Sequence, residues 1–80
     1  MKTSVHHLDI RGAIVPITLL KVTGAFREIK PGEILEILGS DPDTRKELFQ
    51  VLNAFHYQLM DVKDGKTSYR IRLKKVRVKG

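Results

Sequence analysis

Cysteine is absent from this chain of 80 residues, and its absence excludes several kinds of chemistry. Without a thiol the chain forms no disulfide, holds no metal through a thiolate and performs no thiol-based transfer. Its three histidines are His6, His7 and His56. Neighbouring residues on a strand point to opposite faces, so His6 and His7 cannot bind one ion together from the same strand. We therefore expect no metal site and no cofactor.

Aromatic residues and long apolar runs are also scarce. Only 6% of residues are aromatic while 41% are hydrophobic, which predicts an aliphatic core of ordinary globular character. No apolar run approaches the roughly 20 residues that cross a bilayer. The first twelve residues, MKTSVHHLDIRG, lack the apolar centre of a signal peptide. We expect a single domain over residues 1–80 and a cytoplasmic location.

Basic residues outnumber acidic ones. Fifteen Lys and Arg against nine Asp and Glu give a formal charge of +6 and a pI near 9.9. Such a charge suits an acidic partner, whether nucleic acid, an anionic ligand or an acidic protein surface. Solubility alone explains the positive charge equally well, so the positions of the charges have to distinguish the two explanations.

Residue periodicity predicts six elements in the order βαβαββ. The strand candidates are 5–10, 33–38, 56–63 and 67–76, with Asp64-Gly65 as the tight turn between the last two. A first helix is predicted over 16–29, with Leu19, Leu20, Thr23 and Phe26 on its apolar stripe.

A second helix is predicted to begin at Asp41-Pro42. Aspartate is a favoured N-cap and proline is tolerated at the first helical position. Its apolar stripe is Leu48, Val51, Leu52 and Phe55. This order predicts an α+β fold, a two-layer sandwich in which two helices cover one face of a mixed four-stranded sheet. The adjacent charges at Lys74-Lys75 indicate a bulge or a strand end.

Short motifs follow one another along the chain in a fixed order. They are Leu8-Asp9, Gly12-Ala13-Ile14-Val15-Pro16-Ile17-Thr18, Lys30-Pro31-Gly32-Glu33-Ile34-Leu35, Ser40-Asp41-Pro42-Asp43-Thr44, Asp64-Gly65 and Tyr69-Arg70. In this order and spacing they resemble the TusA/SirA family of sulfur carrier proteins. The resemblance extends from Leu8 to about Lys75.

The family's defining residue is missing from this chain. The resemblance places a Gly-x-x-Cys-Pro-x-Pro motif at Gly12 to Thr18, with the cysteine that carries a persulfide in the family at Val15. Pro16 matches the first proline, and Thr18 stands in place of the second. A helix N-terminus favours negative charge, which explains why a thiolate is suited to that position. Valine cannot accept sulfur, so we expect no sulfur transfer and no enzymatic activity.

The resemblance implies a non-catalytic adaptor that docks to a protein partner, a sulfurtransferase or redox subunit, within a sulfur-relay or related assembly. The docking surface would comprise the start of the first helix, Gly12 to Thr18, together with the neighbouring basic strand. An unactivated Thr18 hydroxyl is a poor nucleophile, so we read it as a structural helix residue.

The basic C-terminal strand supports an alternative function. Arg70, Arg72 and Lys74 alternate along a strand, and with Lys75 they form a possible binding face for nucleic acid or an anionic ligand. The aromatic stacking platforms common in single-strand binders are missing. A solvated sheet face, protected by charge from pairing with other strands, explains the pattern as well.

Overall fold

The structure is a computed structural model that describes residues 3–78. It contains β1 (Val5–Asp9), α1 (Ile17–Glu28), β2 (Ile34–Gly39), α2 (Pro42–Leu52), β3 (Tyr57–Asp64) and β4 (Tyr69–Lys75). The predicted βαβαββ order and the α+β fold are confirmed.

The four strands form one mixed sheet in the order β1-β2-β4-β3. β1 and β2 are parallel and are joined through α1, whereas β4 runs antiparallel to both β2 and β3. β4 therefore lies inside the sheet between two strands that precede it in the chain, and β1 and β3 form the two edges.

Burial alternates along the two central strands. Leu35 and Ile37 of β2 and Ile71 and Leu73 of β4 are buried, while the residues between them are only partly covered. Alternate residues of a strand face opposite sides of a sheet, so the helices cover one face and leave the other uncovered. We call the second one the open face. Its central side chains are Ile34, Glu36, Leu38, Arg70, Arg72 and Lys74.

The two helices complete the core with aliphatic and aromatic side chains. Val22 and Phe26 of α1 and Leu48 and Leu52 of α2 are each at most 1% exposed. The Phe26 ring meets Phe55 edge to face, with ring centroids 5.4 Å apart. Burial of one such side chain stabilises a fold by about 1.5–3 kcal/mol.

The two helices begin differently. Asp41 caps α2 as predicted, because its side chain accepts the Thr44 N–H, and Pro42 occupies the first helical turn. α1 begins at Ile17, one residue later than predicted, because Pro16 is the N-cap residue. Pro16 offers no capping side chain, and the first turn of α1 contains no acidic residue.

The C-terminal hairpin forms, but the predicted tight turn at Asp64-Gly65 is wrong, because Asp64 is the last residue of β3 and pairs with Tyr69, so the loop is residues 65–68. β3 ends at Asp64, and the Gly65 N–H donates to the Ser68 carbonyl at 2.7 Å. The irregularity in pairing lies between Leu59 and Asp61 of β3, whereas Lys75 is simply the end of β4.

Neither helix within residues 3–78 has the length and apolar character needed to cross a membrane.

Candidate functional site

Hydrogen bonds join the loop that precedes α1 to the loop that precedes α2. Gly12 has a φ of +84°, a left-handed conformation that favours glycine, and its N–H donates to Ser40 Oγ at 2.9 Å. Further along, the Val15 N–H donates to Asp41 Oδ2 at 3.3 Å. We call residues 12–18 and 40–44 together the helix-start junction.

The Asp41 carboxylate organises this junction. Its Oδ2 atom accepts from the Val15 N–H, from the Thr44 N–H at 3.1 Å and from the Thr44 hydroxyl at 2.7 Å. These bonds, above all that of the Thr44 hydroxyl, lower the pKa of Asp41 below its ordinary value. An ionised carboxylate therefore lies beside the backbone of Val15, where the family motif has its cysteine.

The Thr18 hydroxyl belongs to the same hydrogen-bond network. Its Oγ1 lies 2.6 Å from Thr44 Oγ1, and both residues are completely buried. Because the single Thr44 hydroxyl proton goes to Asp41, Thr44 must accept from Thr18. The Thr18 proton is thus engaged in a buried hydrogen bond with another hydroxyl, and within residues 3–78 its hydroxyl forms no hydrogen bond with a carboxylate or an imidazole. This arrangement supports a structural role for Thr18.

Three aliphatic side chains remain uncovered on the outside of the junction. Ile14, Ile17 and Leu20 are 63%, 54% and 68% exposed, and we call them the apolar patch. Ile17 and Leu20 lie three residues apart in α1 and are therefore neighbours on the helix surface, and Ile14 precedes them in the loop. Clustered apolar side chains on a surface mark interaction sites more often than single ones do.

Leu20 corrects the prediction for the first helix. Sequence periodicity assigned it to the apolar stripe, but the buried face of α1 consists of Thr18, Val22, Thr23 and Phe26. Leu19 and Leu20 are adjacent, and only Leu19 packs against the core. The spacing of four from Thr18 through Val22 to Phe26 was the signal that could have separated the two leucines.

Arg72, one of the predicted basic-face residues, is neutralised on the open face. Arg72 Nε donates to Glu36 Oε2 at 2.7 Å, and His7 Nδ1 lies 2.9 Å from Glu36 Oε1. Hydrogen bonds from Arg72 and then from His7 lower the pKa of Glu36. Glu36 belongs to β2, so the balancing charge comes from a neighbouring strand.

Arg70 and Lys75 also have partners. Arg70 Nη2 donates to Asp61 Oδ2 at 3.1 Å on the open face. Lys75 is on the other side of the sheet, where its ammonium lies at the C-terminal end of α1. Its Nζ donates at 2.9–3.1 Å to the carbonyls of Phe26, Arg27 and Ile29.

The structure thus separates residues that the sequence grouped together. Arg70, Arg72 and Lys74 share the open face, but Lys75 does not. The helix-start junction lies on the helical side of the sheet, so the two parts of the predicted docking surface do not form one face. Binding by Arg70, Arg72, Lys74 or Lys75 stays a prediction.

His6 and His7 pair with separate carboxylates. His6 Nε2 lies 3.2 Å from Glu33 Oε1, whereas His7 reaches Glu36 on the opposite face. Across residues 3–78, no three His, Asp or Glu side chains gather closely enough to hold a metal ion.

Comparison with known proteins agrees with the motif resemblance. The family model described as "Sulfurtransferase TusA" matches residues 6–75. A "Sulfur carrier protein TusA" of Buchnera aphidicola is 32% identical over 68 residues, which are 85% of this chain and 86% of that protein. A protein of Archaeoglobus fulgidus described as "Putative sulfur carrier protein" is 27% identical over 70 residues, which are 88% of this chain and 96% of that protein. The chain therefore belongs to the TusA family.

Proposed function

We propose that this protein is a non-catalytic adaptor that docks to a protein partner in a sulfur-relay or related assembly. The apolar patch carries the proposal, because it places three exposed aliphatic side chains around the position of the family cysteine. The partner we expect is a sulfurtransferase or a redox subunit, since members of this family are named as sulfur carriers. A cytoplasmic location is part of the proposal.

The absence of cysteine supports a role without covalent sulfur transfer. Val15 has no nucleophilic atom, and Thr18 uses its hydroxyl proton inside the junction. The ionised Asp41 carboxylate accepts the Val15 N–H, so a negative charge already occupies this helix start. The site therefore offers shape and apolar surface to a partner.

The geometry of the patch also suits docking. The junction beneath it is held by hydrogen bonds, including those that the Gly12 and Val15 N–H groups donate to Ser40 and Asp41. A surface that is rigid before binding loses little conformational entropy when a partner covers it. Because Ile17 is in the middle of the three side chains, its replacement should affect the patch most.

The experiment is affinity capture of the tagged protein from its own cell lysate, with Ile17→Glu as the test variant. Glutamate in the first turn of α1 faces the favourable end of the helix dipole, which stabilises helices by about 0.3–1 kcal/mol. The variant should therefore fold at least as well as the original chain. We expect it to lose an identified sulfurtransferase or redox subunit that the original chain retains.

Met60→Glu is the matched control. Met60 is 46% exposed at the irregular part of β3, far in the chain from the patch, and receives the same charge. It should retain the partner. Equal loss from both variants would show that added charge, rather than the patch, prevents binding.

A nuclease-treated arm separates this proposal from nucleic-acid binding. Capture of the protein partner should survive nuclease, since the apolar patch makes no phosphate contacts. Retention that disappears with nuclease would replace the adaptor proposal with binding through Arg70, Arg72 and Lys74, despite the partners that Arg70 and Arg72 already have.

A further inference from the structure

β1 forms one edge of the sheet, and half of its backbone groups point away from the sheet. Within residues 3–78 it pairs only with β2. Directly after β1, the Ile10 N–H donates to the Leu38 carbonyl of β2 at 2.8 Å. Because the backbone groups of successive strand residues point alternately to either side, the even-numbered residues of β1 face β2. The N–H and C=O groups of Val5, His7 and Asp9 therefore face outward.

The two edge strands differ in how well they resist pairing with another strand. β3 has an irregular register between Leu59 and Asp61, and it carries Lys63. Natural proteins use bulges and charged residues, above all lysine, to block pairing at a sheet edge. β1 has a continuous register, contains neither lysine nor proline, and has one acidic residue, Asp9, which is paired with Arg11. The β1 edge can therefore accept a further strand.

A groove lies beside this edge, between β1 and α1. Its volume is about 230 Å³, and its walls include Leu8 on the strand and Ala25 and Glu28 on the helix. Lys21 precedes Ala25 by four residues and Glu28 by seven, so the three residues share one side of α1. The side of α1 next to the free edge therefore carries a lysine and a glutamate two turns apart, with a small residue between them.

These two charges have no partners among residues 3–78. Lys21 and Glu28 are both exposed, and neither takes part in a salt bridge there. Glu28 is also the last residue of α1, where the helix dipole disfavours negative charge. A partner complements both residues if it offers a positive charge to Glu28 and a negative charge to Lys21. A second copy of α1 that runs antiparallel to the first has this pattern.

We propose that this chain forms a symmetric dimer in which β1 pairs antiparallel with β1 of a second copy. In this dimer His7 lies opposite the partner's Asp9, and each such pair exchanges two backbone hydrogen bonds. Residues directly opposite each other in an antiparallel pair share a face, so both helical layers lie on the same side of the joined sheet. The two α1 helices are then neighbours across the β1 strands and run antiparallel.

The dimensions of the fold suit this contact. Paired strands are about 4.8 Å apart, so helices that lie slightly inside the two β1 strands are about 10 Å apart, close to the usual distance between packed helices. Pairing of His7 with the partner's Asp9 puts the two-fold axis at Leu8, which shares the groove with Ala25. Ala25 is near the midpoint between Lys21 and Glu28. Each Lys21 therefore faces the partner's Glu28.

The proposal is tested by sedimentation equilibrium of the purified chain. Because one strand and one helix from each copy make a small interface, we expect reversible dimers with a dissociation constant of about 10–100 μM. Protein concentrations on either side of that range should give a molecular mass that rises from one chain toward two. A chain that remained monomeric at all of these concentrations would overturn the proposal.

Lys21→Glu and Glu28→Lys make a matched pair of variants. Each single change puts like charges opposite each other at both helix contacts and should weaken dimerisation about tenfold. The double variant exchanges the two charges and should dimerise as the original chain does. General repulsion between chains of charge +6 predicts instead that Lys21→Glu, which lowers the charge, strengthens association. A double variant as weak as the single ones would refute the antiparallel contact between the helices.

His7→Pro tests the strand pairing, with His7→Ala as its control. The His7 N–H points away from β2, so proline removes a hydrogen bond of the dimer and none between β1 and β2. We expect His7→Pro to remain monomeric and His7→Ala, which keeps the N–H, to dimerise. Thermal unfolding shows whether His7→Pro folds.

If His7→Pro does not fold, hydrogen exchange of the original chain decides between the outcomes. The amides of His7 and Asp9 should exchange more slowly above the dissociation constant than below it, because pairing covers them only in the dimer. Exchange at these two amides that did not depend on protein concentration would contradict pairing through β1.

Discussion

The helix-start junction and the open face both combine polar groups with aliphatic side chains, but they arrange them in opposite ways. In the junction, the Thr18 and Thr44 hydroxyls are buried and the aliphatic side chains lie outside. On the open face, ion pairs lie outside and half-buried aliphatic residues such as Leu38 lie between them. The junction therefore presents an apolar surface on a polar interior, and the open face presents charges of which Arg70 and Arg72 already have partners.

This difference shows which surfaces can still bind a partner in a chain that lacks the family cysteine. The position of Val15 is still fixed by Asp41, so the junction keeps its structure without a reactive group. In contrast, Arg70 and Arg72 lack carboxylate partners only when β4 is considered alone, because Glu36 and Asp61 belong to the neighbouring strands β2 and β3. A partner that recognises the junction meets uncovered apolar area, whereas a partner of the open face must compete with existing ion pairs.

The comparison is tested most strongly by Thr44→Val. The change removes the acceptor for Thr18 and a donor to Asp41 while preserving shape. Leaving a buried hydroxyl unpaired costs about 1–3 kcal/mol, so we expect the free energy of unfolding to fall by about 2 kcal/mol. Urea denaturation with an unchanged slope measures it.

Thr18→Val completes a double-mutant cycle with Thr44→Val. If the two hydroxyls act as one unit, the double variant should lose less stability than the sum of the two single losses. Strict additivity, or a loss below about 0.5 kcal/mol for Thr44→Val, would show that the buried network contributes little to stability.

A smaller effect is expected from the adjacent lysines at the end of β4. Lys75 donates to three carbonyls at the end of α1, so Lys75→Met should lower stability by about 1–2 kcal/mol. Lys74 lies on the open face, and Lys74→Met should change the free energy of unfolding by no more than about 0.5 kcal/mol. Thermal unfolding of the pair measures the difference. Equal losses of stability in the two variants would mean that Lys75 on the helical side of the sheet contributes no more than Lys74 on the open face.

Sequence periodicity predicted the fold because its signals are local. The Asp41-Pro42 helix start and the C-terminal hairpin each depend on residues close together in the chain, and the structure contains both, although the hairpin loop is residues 65–68 rather than Asp64-Gly65. The motif order around Gly12 and Val15 was enough to indicate the family, which the comparisons show.

The features that sequence missed depend on contacts across the chain. Arg72 meets Glu36 at a separation of 36 residues, and Thr18 meets Thr44 at a separation of 26. Nothing in the spacing of charges along β4 reveals that β2 and β3 supply its carboxylates. Leu20 was assigned to the core because it is apolar and its position fits helical periodicity. Its side chain is nevertheless exposed.

The smallest effect is expected on the open face from Glu36→Gln. At pH 7 the partly buried pair with Arg72 should contribute about 1 kcal/mol or less. Arg72 and His7 lower the pKa of folded Glu36 below its ordinary 4.5, so the ionised form is favoured by folding. The contribution is therefore complete above pH 4.5 and is lost as pH falls through the lowered pKa.

The pH dependence of this variant distinguishes an ion pair from a packing effect. The stability difference between the original chain and Glu36→Gln should be largest near pH 7 and should shrink steadily below pH 4.5. Asp41 and Asp64, whose pKa values are also lowered, are present in both proteins and cancel in the difference. Urea denaturation at several pH values measures it. A difference that stayed constant into acid would mean that Glu36 acts through its shape, and that the charge of Arg72 is available to a ligand after all.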